Sequence, residues 1–168
     1  GTWPDFNADG KTDILWRNVT TGAYLGSLID NLDISLTRVL GGSTTTLQIA
    51  GLADFNADGK TDILWQNVAT GAYLATLMDG LTLTQTKGLG GSFATLQITG
   101  LADFNADGKT DILWRNVATG AYLATLMNGL TMTQTKGLGG SITTLQILES
   151  ADFNADGKTD ILWRNVTT

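Results

Sequence analysis

The feature that most constrains this chain is a stretch that occurs four times without change. Asp5-Phe6-Asn7-Ala8-Asp9-Gly10-Lys11-Thr12-Asp13, followed by Ile14-Leu15-Trp16, returns at Asp54–Asp62, Asp103–Asp111 and Asp152–Asp160, each time followed by Ile-Leu-Trp. The starts at 5, 54, 103 and 152 lie 49 residues apart. A fixed period of that size marks an array of supersecondary units, each burying its faces against its neighbours rather than alone. The 168 residues therefore read as a single repeat domain, with units at 5–53, 54–102 and 103–151 and a partial unit at 152–168.

Within a unit the residues alternate between strand and turn signals. Leu96-Gln97-Ile98 leads through Gly100-Leu101-Ala102 into the third nonapeptide as an extended approach. After the nonapeptide, Thr110–Arg115 is short and rich in β-formers, and Asn116–Gly120 reads as a turn. Ala121–Met127 is a further strand, Asn128-Gly129 a hairpin signal, and Leu130–Thr135 alternates apolar and polar with period two. Gly137–Ser141 reads as the loop out of the unit. No apolar stripe of period 3.6 survives past two turns, and glycine recurs every few residues, so helix is not expected.

Four strands of about six residues in one period make a compact meander, which predicts an all-β propeller built from four-stranded blades. The alternatives are a stacked β-solenoid, whose coils are usually shorter and lack internal hairpin turns, and an open β-repeat array. Three and a half blades do not close a ring, and a half-unit leaves a strand edge open. That points to a fragment of a longer array, a ring completed by further copies, or a filament.

Units two and three differ at only eight of 49 positions (66, 79, 83, 93, 94, 99, 100 and 101), so identity between them can reflect recent duplication. The first unit has diverged more, and its nonapeptide is nevertheless unchanged.

Composition sharpens the question of what the nonapeptide binds. Of 16 Asp and Glu residues, the four copies hold 12, leaving Asp30, Asp33, Asp79 and Glu149. Acidity so concentrated looks like ligand supply; four divalent cations would carry the formal charge from −6 to +2. The negative charge argues against a nucleic-acid partner. Cysteine and histidine are both absent, which removes disulfides, thiolate chemistry and the usual general base. No apolar run of 18 residues spans a membrane. The chain opens Gly1-Thr2-Trp3-Pro4 without Met or a signal-peptide apolar region, as a processed chain or a fragment does.

Asp-x-Asn-x-Asp-Gly-x-x-Asp has the spacing of an oxygen cage for a hard cation. Side chains at positions 1, 3 and 5 converge as the loop coils, and glycine at position 6 permits the sharp turn. The position-7 carbonyl points inward, and Asp at position 9 adds a further carboxylate. Such a cage suits Ca²⁺, with water completing the shell, better than Mg²⁺. An EF-hand would need a bidentate Glu at position 12 and flanking helices; here position 12 is Trp16, Trp65, Trp114 or Trp163. The plain alternative is an acidic β-turn that binds nothing.

Asp-Phe-Asn-Ala-Asp-Gly-Lys-Thr-Asp-Ile-Leu-Trp resembles the FG-GAP/VCBS repeats of secreted and surface proteins, among them the Ca²⁺-binding blades of integrin α-chain propellers. The resemblance covers the whole chain. It implies that the loop joins the first two strands of a blade and that Ca²⁺ rigidifies it, up to four ions in all. Carried over by position, the first site is Asp5, Asn7, Asp9, Asp13 and the Lys11 carbonyl, and the second is Asp54, Asn56, Asp58, Asp62 and that of Lys60. The third is Asp103, Asn105, Asp107, Asp111 and Lys109, and the fourth Asp152, Asn154, Asp156, Asp160 and Lys158. Two departures stand out. The glycine that often precedes the motif is Pro4, Ala53, Ala102 or Ala151, and the first copy lacks most of its leading strand.

The tryptophans at position 12 invite a sugar-stacking reading, but packing between units is the expectation for so large an apolar payload. Tyr24, Tyr73 and Tyr122 are read the same way, with the hydroxyl at the rim. Arg17, Gln66, Arg115 and Arg164 vary in kind, which argues against a repeated ionic site. Asn18-Val19-Thr20 and Asn165-Val166-Thr167 match the N-glycosylation pattern, although units two and three carry Ala there, which favours coincidence. Nearly every carboxylate is committed to a metal loop, and Glu149 is the only Glu, so no catalytic pair is expected.

The sequence thus predicts a Ca²⁺-stabilised extracellular binding or adhesion module rather than an enzyme, with a protein or glycan partner it does not name. Three alternatives stand beside it: a carbohydrate-binding lectin, a self-assembling ring or filament subunit joined through the incomplete fourth unit, and the accessory part of a larger enzyme.

Overall fold

The computed structural model describes residues 3–167, and every regular element among them is a β-strand. Sheet one contains β1 (Ile14–Arg17), β2 (Tyr24–Asp30) and β3 (Asp33–Gly41). Sheet two contains β4 (Leu47–Ala53), β5 (Asp62–Asn67), β6 (Tyr73–Asp79) and β7 (Thr82–Gly90). Sheet three contains β8 (Leu96–Ala102), β9 (Asp111–Asn116), β10 (Tyr122–Asn128) and β11 (Thr131–Gly139). Sheet four contains β12 (Leu145–Ala151) and β13 (Asp160–Asn165). All are antiparallel meanders in chain order, and each nonapeptide from the second onward joins the first two strands of its sheet.

Three irregularities recur at matching places, one of them where Tyr73 faces Gly90 and Leu74 faces Gly88, which leaves Leu89 over. Between the first two strands, Ile49 faces Trp65 and Gly51 faces Leu64, which leaves Ala50 as the extra residue of a bulge; Thr99 and Leu148 occupy the same place. Between the last two strands, Leu77 faces Gln85 and Met78 faces Leu83, which leaves Thr84 over. A bulge frees a ladder carbonyl, and a hydroxyl takes it up. Thr84 donates to the Leu77 carbonyl at 3.0 Å, Thr133 to that of Leu126 at 3.1 Å and Ser35 to that of Leu28 at 3.2 Å.

The core lies between sheets, because each inner sheet is buried on both faces. One face of sheet two presents Ile63, Trp65, Met78 and Leu81 to Phe6 and Leu40 of sheet one. Its other face presents Phe55, Leu64, Tyr73, Ala75 and Leu89 to Ile112, Trp114, Met127 and Leu130 of sheet three. Aromatic pairs mark each junction. Trp65 meets Tyr24 edge-on at 5.9 Å, Trp114 meets Tyr73 at 5.9 Å and Trp163 meets Tyr122 at 5.7 Å. The buried indoles are also satisfied: Trp65 Nε1 donates to Thr76 Oγ1 at 3.2 Å and Trp114 Nε1 to Thr125 Oγ1 at 3.1 Å. Trp65 and Trp114 therefore offer no open face for a sugar ring. The tyrosine hydroxyl is also engaged in sheet two, where Tyr73 accepts from Gln66 Nε2 at 3.0 Å.

Two sequence expectations are corrected. The stretch read as an exit loop, Gly137–Ser141, begins as strand: β11 runs to Gly139, and the matching Leu40 and Leu89 are buried between sheets. The hairpin turn also lies one residue later than Asn128-Gly129. Asn128 pairs with Thr131, so Gly129 and Leu130 form the turn, and Leu130 is carried into the core. Gly129 and Gly80 take φ +56° and +57°, the glycine-first geometry of a type II′ turn. Glycine is required elsewhere by close approach, since a Cβ on Gly71 would lie 2.4 Å from the Phe93 nitrogen.

Because the packing is between sheets, position in the stack sets the cost of losing the same residue. Trp114→Ala is predicted to cost about 3–5 kcal/mol in urea unfolding, as expected for a buried tryptophan. Trp16→Ala, at a side chain 45% exposed, is predicted to cost well under half as much. Equal losses would show that the inter-sheet contacts do not carry the stability.

Candidate metal centre

Each nonapeptide is a tight loop wound around its own carboxylates. Two left-handed residues coil it: Gly10, Gly59, Gly108 and Gly157 at φ +77° to +84°, and Ala8, Ala57, Ala106 and Ala155 at φ +57° to +61°. Alanine rarely adopts that region, and holding it there in all four copies takes local hydrogen bonds. The first aspartate supplies them. In the first loop Asp5 accepts from the amides of Asp9 at 3.2 Å and Gly10 at 2.9 Å. Asp54, Asp103 and Asp152 accept from the corresponding amides. At position 5, Asp9 accepts from the Lys11 amide at 2.8 Å, and Asp58, Asp107 and Asp156 accept likewise at 2.9 Å.

The ninth residue is the deepest. Asp13, Asp62 and Asp111 are buried, each bridging the loop to the third strand of its sheet or, in sheet one, to β2. Asp62 accepts from the Phe55 amide at 2.9 Å and the Met78 amide at 2.8 Å. Asp13 does the same with Phe6 and Ile29, and Asp111 with Phe104 and Met127. Asp160 accepts from Phe153 at 3.2 Å.

These surroundings divide the carboxylates. Burial pushes Asp62 up to about 6, against two amide donors that lower it, and the neighbouring Asp54 and Asp58 charges push the same way. Asp111 is raised for the same reasons. Asp9 and Asp107 are held below the ordinary range, chiefly by the amides of Lys11 and Lys109, and Asp152 chiefly by that of Gly157. The loop therefore holds a carboxylate that resists ionising beside others that favour it.

The donor set is all oxygen, the chemistry that a hard divalent cation requires. One of those oxygens is unspent: Asn7 Oδ1 is buried with no hydrogen-bond partner. Asn7 Nδ2 instead donates to Asp9 Oδ2 at 3.2 Å, and Asn56, Asn105 and Asn154 repeat that contact. Among the described residues, no three carboxylates are gathered closely enough to hold a metal ion by themselves. The reason is visible in the bonding, since positions 1 and 9 are turned onto backbone amides. Each carboxylate oxygen keeps a further lone pair, so the residues fit the cation chemically while the amides shape the loop.

Two features of the site were missed in the sequence. Lysine at position 7 acts through its side chain as well: Lys11 Nζ reaches Asp30 at 3.0 Å and Lys60 Nζ reaches Asp79 at 2.8 Å. Those bonds raise both lysines. The available signal was that Asp30 and Asp79, two of the few acids outside the nonapeptides, each follow their lysine by 19 residues. Where Asn128 replaces the aspartate, Lys109 turns to Asp107 at 3.3 Å. The second feature is a column of loops. The Thr61 amide donates to the Asp5 carbonyl at 2.8 Å, that of Thr110 to Asp54 at 2.8 Å and that of Thr159 to Asp103 at 2.7 Å. Consecutive nonapeptides are thus hydrogen-bonded side by side, with Asp5 N also donating to Thr61 Oγ1 at 2.9 Å.

Comparison with protein families gives matches to the FG-GAP-like repeat over residues 54–114 and again over 103–163. No curated protein matches the chain.

A group raised on folding stabilises the protonated native state, so its contribution is complete below the unfolded value and is lost as pH rises through the folded one. For Asp62 that window runs from 3.8 to about 6, and Asp111 moves in the same direction. In chelator, the melting temperature is predicted to rise as pH is lowered from about 7 towards 5. A melting temperature that falls over that range would contradict the burial of these carboxylates.

Proposed function

This chain belongs to the FG-GAP-like repeat family, and from that membership we propose that it is a Ca²⁺-stabilised extracellular binding module whose repeated sheets are propeller blades. Its units are taken as 5–53, 54–102, 103–151 and the partial 152–168. The observation that carries the reading is the loop itself: an oxygen-only donor set present four times unchanged, with the buried Asn7 Oδ1 unspent in the first copy. Each ion would be held by positions 1, 3, 5 and 9 and the position-7 carbonyl. For the first loop these are Asp5, Asn7, Asp9, Asp13 and Lys11.

Bound Ca²⁺ supplies positive charge where three carboxylates per loop repel one another. The chain's own residues do the rest. Asp62 and Asp111 fix the loop to the third strand of its sheet and Asp13 fixes its loop to β2, and the threonine amides tie each loop to its neighbour. Calcium is therefore read as a structural clip. Extracellular modules work with dissociation constants of about 10⁻⁴–10⁻³ M, which suits a loop whose shape is already set by amides. Family membership supports a binding role rather than catalysis, and the partner is sought on loops outside the nonapeptides.

Thermal melts with and without chelator test the reading. Ca²⁺ at 100 times its dissociation constant adds about 2.7 kcal/mol per site, so chelation is expected to lower the melting temperature markedly and Ca²⁺ to restore it. With Ca²⁺ present, lowering the pH through about 6 is expected to weaken that stabilisation, the reverse of the metal-free trend, because protons compete for Asp62. A melt unchanged by chelator would overturn the proposal.

A further inference from the structure

In the first three loops the ninth aspartate bonds to the amide of Ile29, Met78 or Met127, which brings the next residue of that strand beside the loop. That residue is Asp30 in unit one, Asp79 in unit two and Asn128 in unit three. Units two and three carry the same nonapeptide, so a difference between their loops has to come from residues outside it. Of the eight positions at which these units differ, 79 is, among the described residues, the one whose side chain bonds to a nonapeptide side chain.

The lysine at the seventh position stands between two carboxylates, one inside the cage and one outside it. In the first loop its Nζ lies 3.0 Å from Asp30 and 3.6 Å from Asp9. In the second it lies 2.8 Å from Asp79 and 4.0 Å from Asp58. In the third loop the outer partner is an uncharged amide, and Lys109 Nζ lies 3.3 Å from Asp107 Oδ2. That oxygen also accepts from Asn105 Nδ2 at 3.3 Å, and the other oxygen of the same carboxylate accepts from the Lys109 amide at 2.9 Å. The fifth-position carboxylate of the third loop thus carries one donor more than that of the second, and the extra donor is a cation.

We propose that the residue at 30, 79 and 128 sets how tightly its loop holds a divalent cation. Asp30 and Asp79 keep the lysine ammonium outside the cage, and the third loop, with asparagine there, binds the cation more weakly than the first two. A cation entering the third loop meets the Lys109 ammonium on one of its own ligand oxygens, and must displace that group or bear its repulsion. In the second loop the ammonium is already paired with Asp79, whose charge offsets it. Asp30 and Asp79 act through the lysine and are positioning residues, not ligands. The inference rests on the calcium reading and refines it: identical motifs are not identical sites.

A Ca²⁺ titration of the 168-residue chain followed by heteronuclear NMR tests it. The amides of Gly10, Gly59 and Gly108 are the reporters, because each donates to the first aspartate of its loop. The Gly108 midpoint is expected at a Ca²⁺ concentration about two- to fivefold above those of Gly10 and Gly59, the range that an exposed ion pair is worth. Asn128→Asp should bring the third loop to the midpoint of the second, and Asp79→Asn should send the second to that of the third. Both positions are exposed, and each replacement already stands there in another unit, so both variants keep the fold. Lys109→Gln retains the backbone carbonyl and removes the ammonium; it should tighten the third loop, and Asn128→Asp should then add little. An aspartate acting by charge alone would give the same gain with and without the lysine, and that result would overturn the proposal. So would equal midpoints for Gly59 and Gly108 when both respond to Ca²⁺, an outcome that leaves the calcium reading standing. Glycine amides that ignore Ca²⁺ altogether would overturn the calcium reading and this ranking with it.

Discussion

The structure depends on a buried carboxylate at the ninth position of the first three loops, Asp13, Asp62 and Asp111. Asp62 accepts from Phe55 on one side and Met78 on the other. Phe55 belongs to the face that receives sheet three, and Met78 to the face that enters sheet one. One side chain thus holds both packing surfaces of its sheet in register with the loop. Its burial is costly for an ionised group, and the cost appears as a carboxyl pushed up to about 6. Amide donors offset part of that cost, and a cation beside the loop would offset more.

Much of this was legible in the sequence, because an unchanged motif at fixed spacing leaves few architectures. Strand positions followed from β-formers between glycine-rich turns, and Trp65, Trp114 and Trp163 pack between units as read, whereas Trp16 is left 45% exposed. What sequence reading missed comes from burial on two faces. Alternation over Leu130–Thr135 put Met132 among the patterned apolar positions; it is exposed, as is Leu83 at the same place in the second unit. The buried residues of that segment are Leu81 and Leu89, one in a turn and one among glycines. The bulges at Thr84 and Thr133 break the period of two partway along the strand, so no alternating template locates both ends of it.

The site was legible in a similar measure. Loop membership and the role of glycine were readable from spacing. The direction of each carboxylate was not, because spacing does not say which oxygen meets an amide. The sequence picture was a set of separate cages; the structure arranges the loops as a column, tied by amide-to-carbonyl bonds from one unit to the next. Those bonds involve Thr61, Thr110 and Thr159, residues that no ligand rule singles out. A cation bound in one loop would therefore stiffen its neighbours through the backbone, coupling local charge to the stacking of whole sheets.

The central claim is that calcium acts as a clip between units, and amide exchange reads it most directly. With Ca²⁺ added, the amides of Thr61, Thr110 and Thr159 are predicted to gain protection together with those of Met78 and Met127, which bond to the buried aspartates. Exchange at these amides that is unchanged by Ca²⁺ would contradict the account.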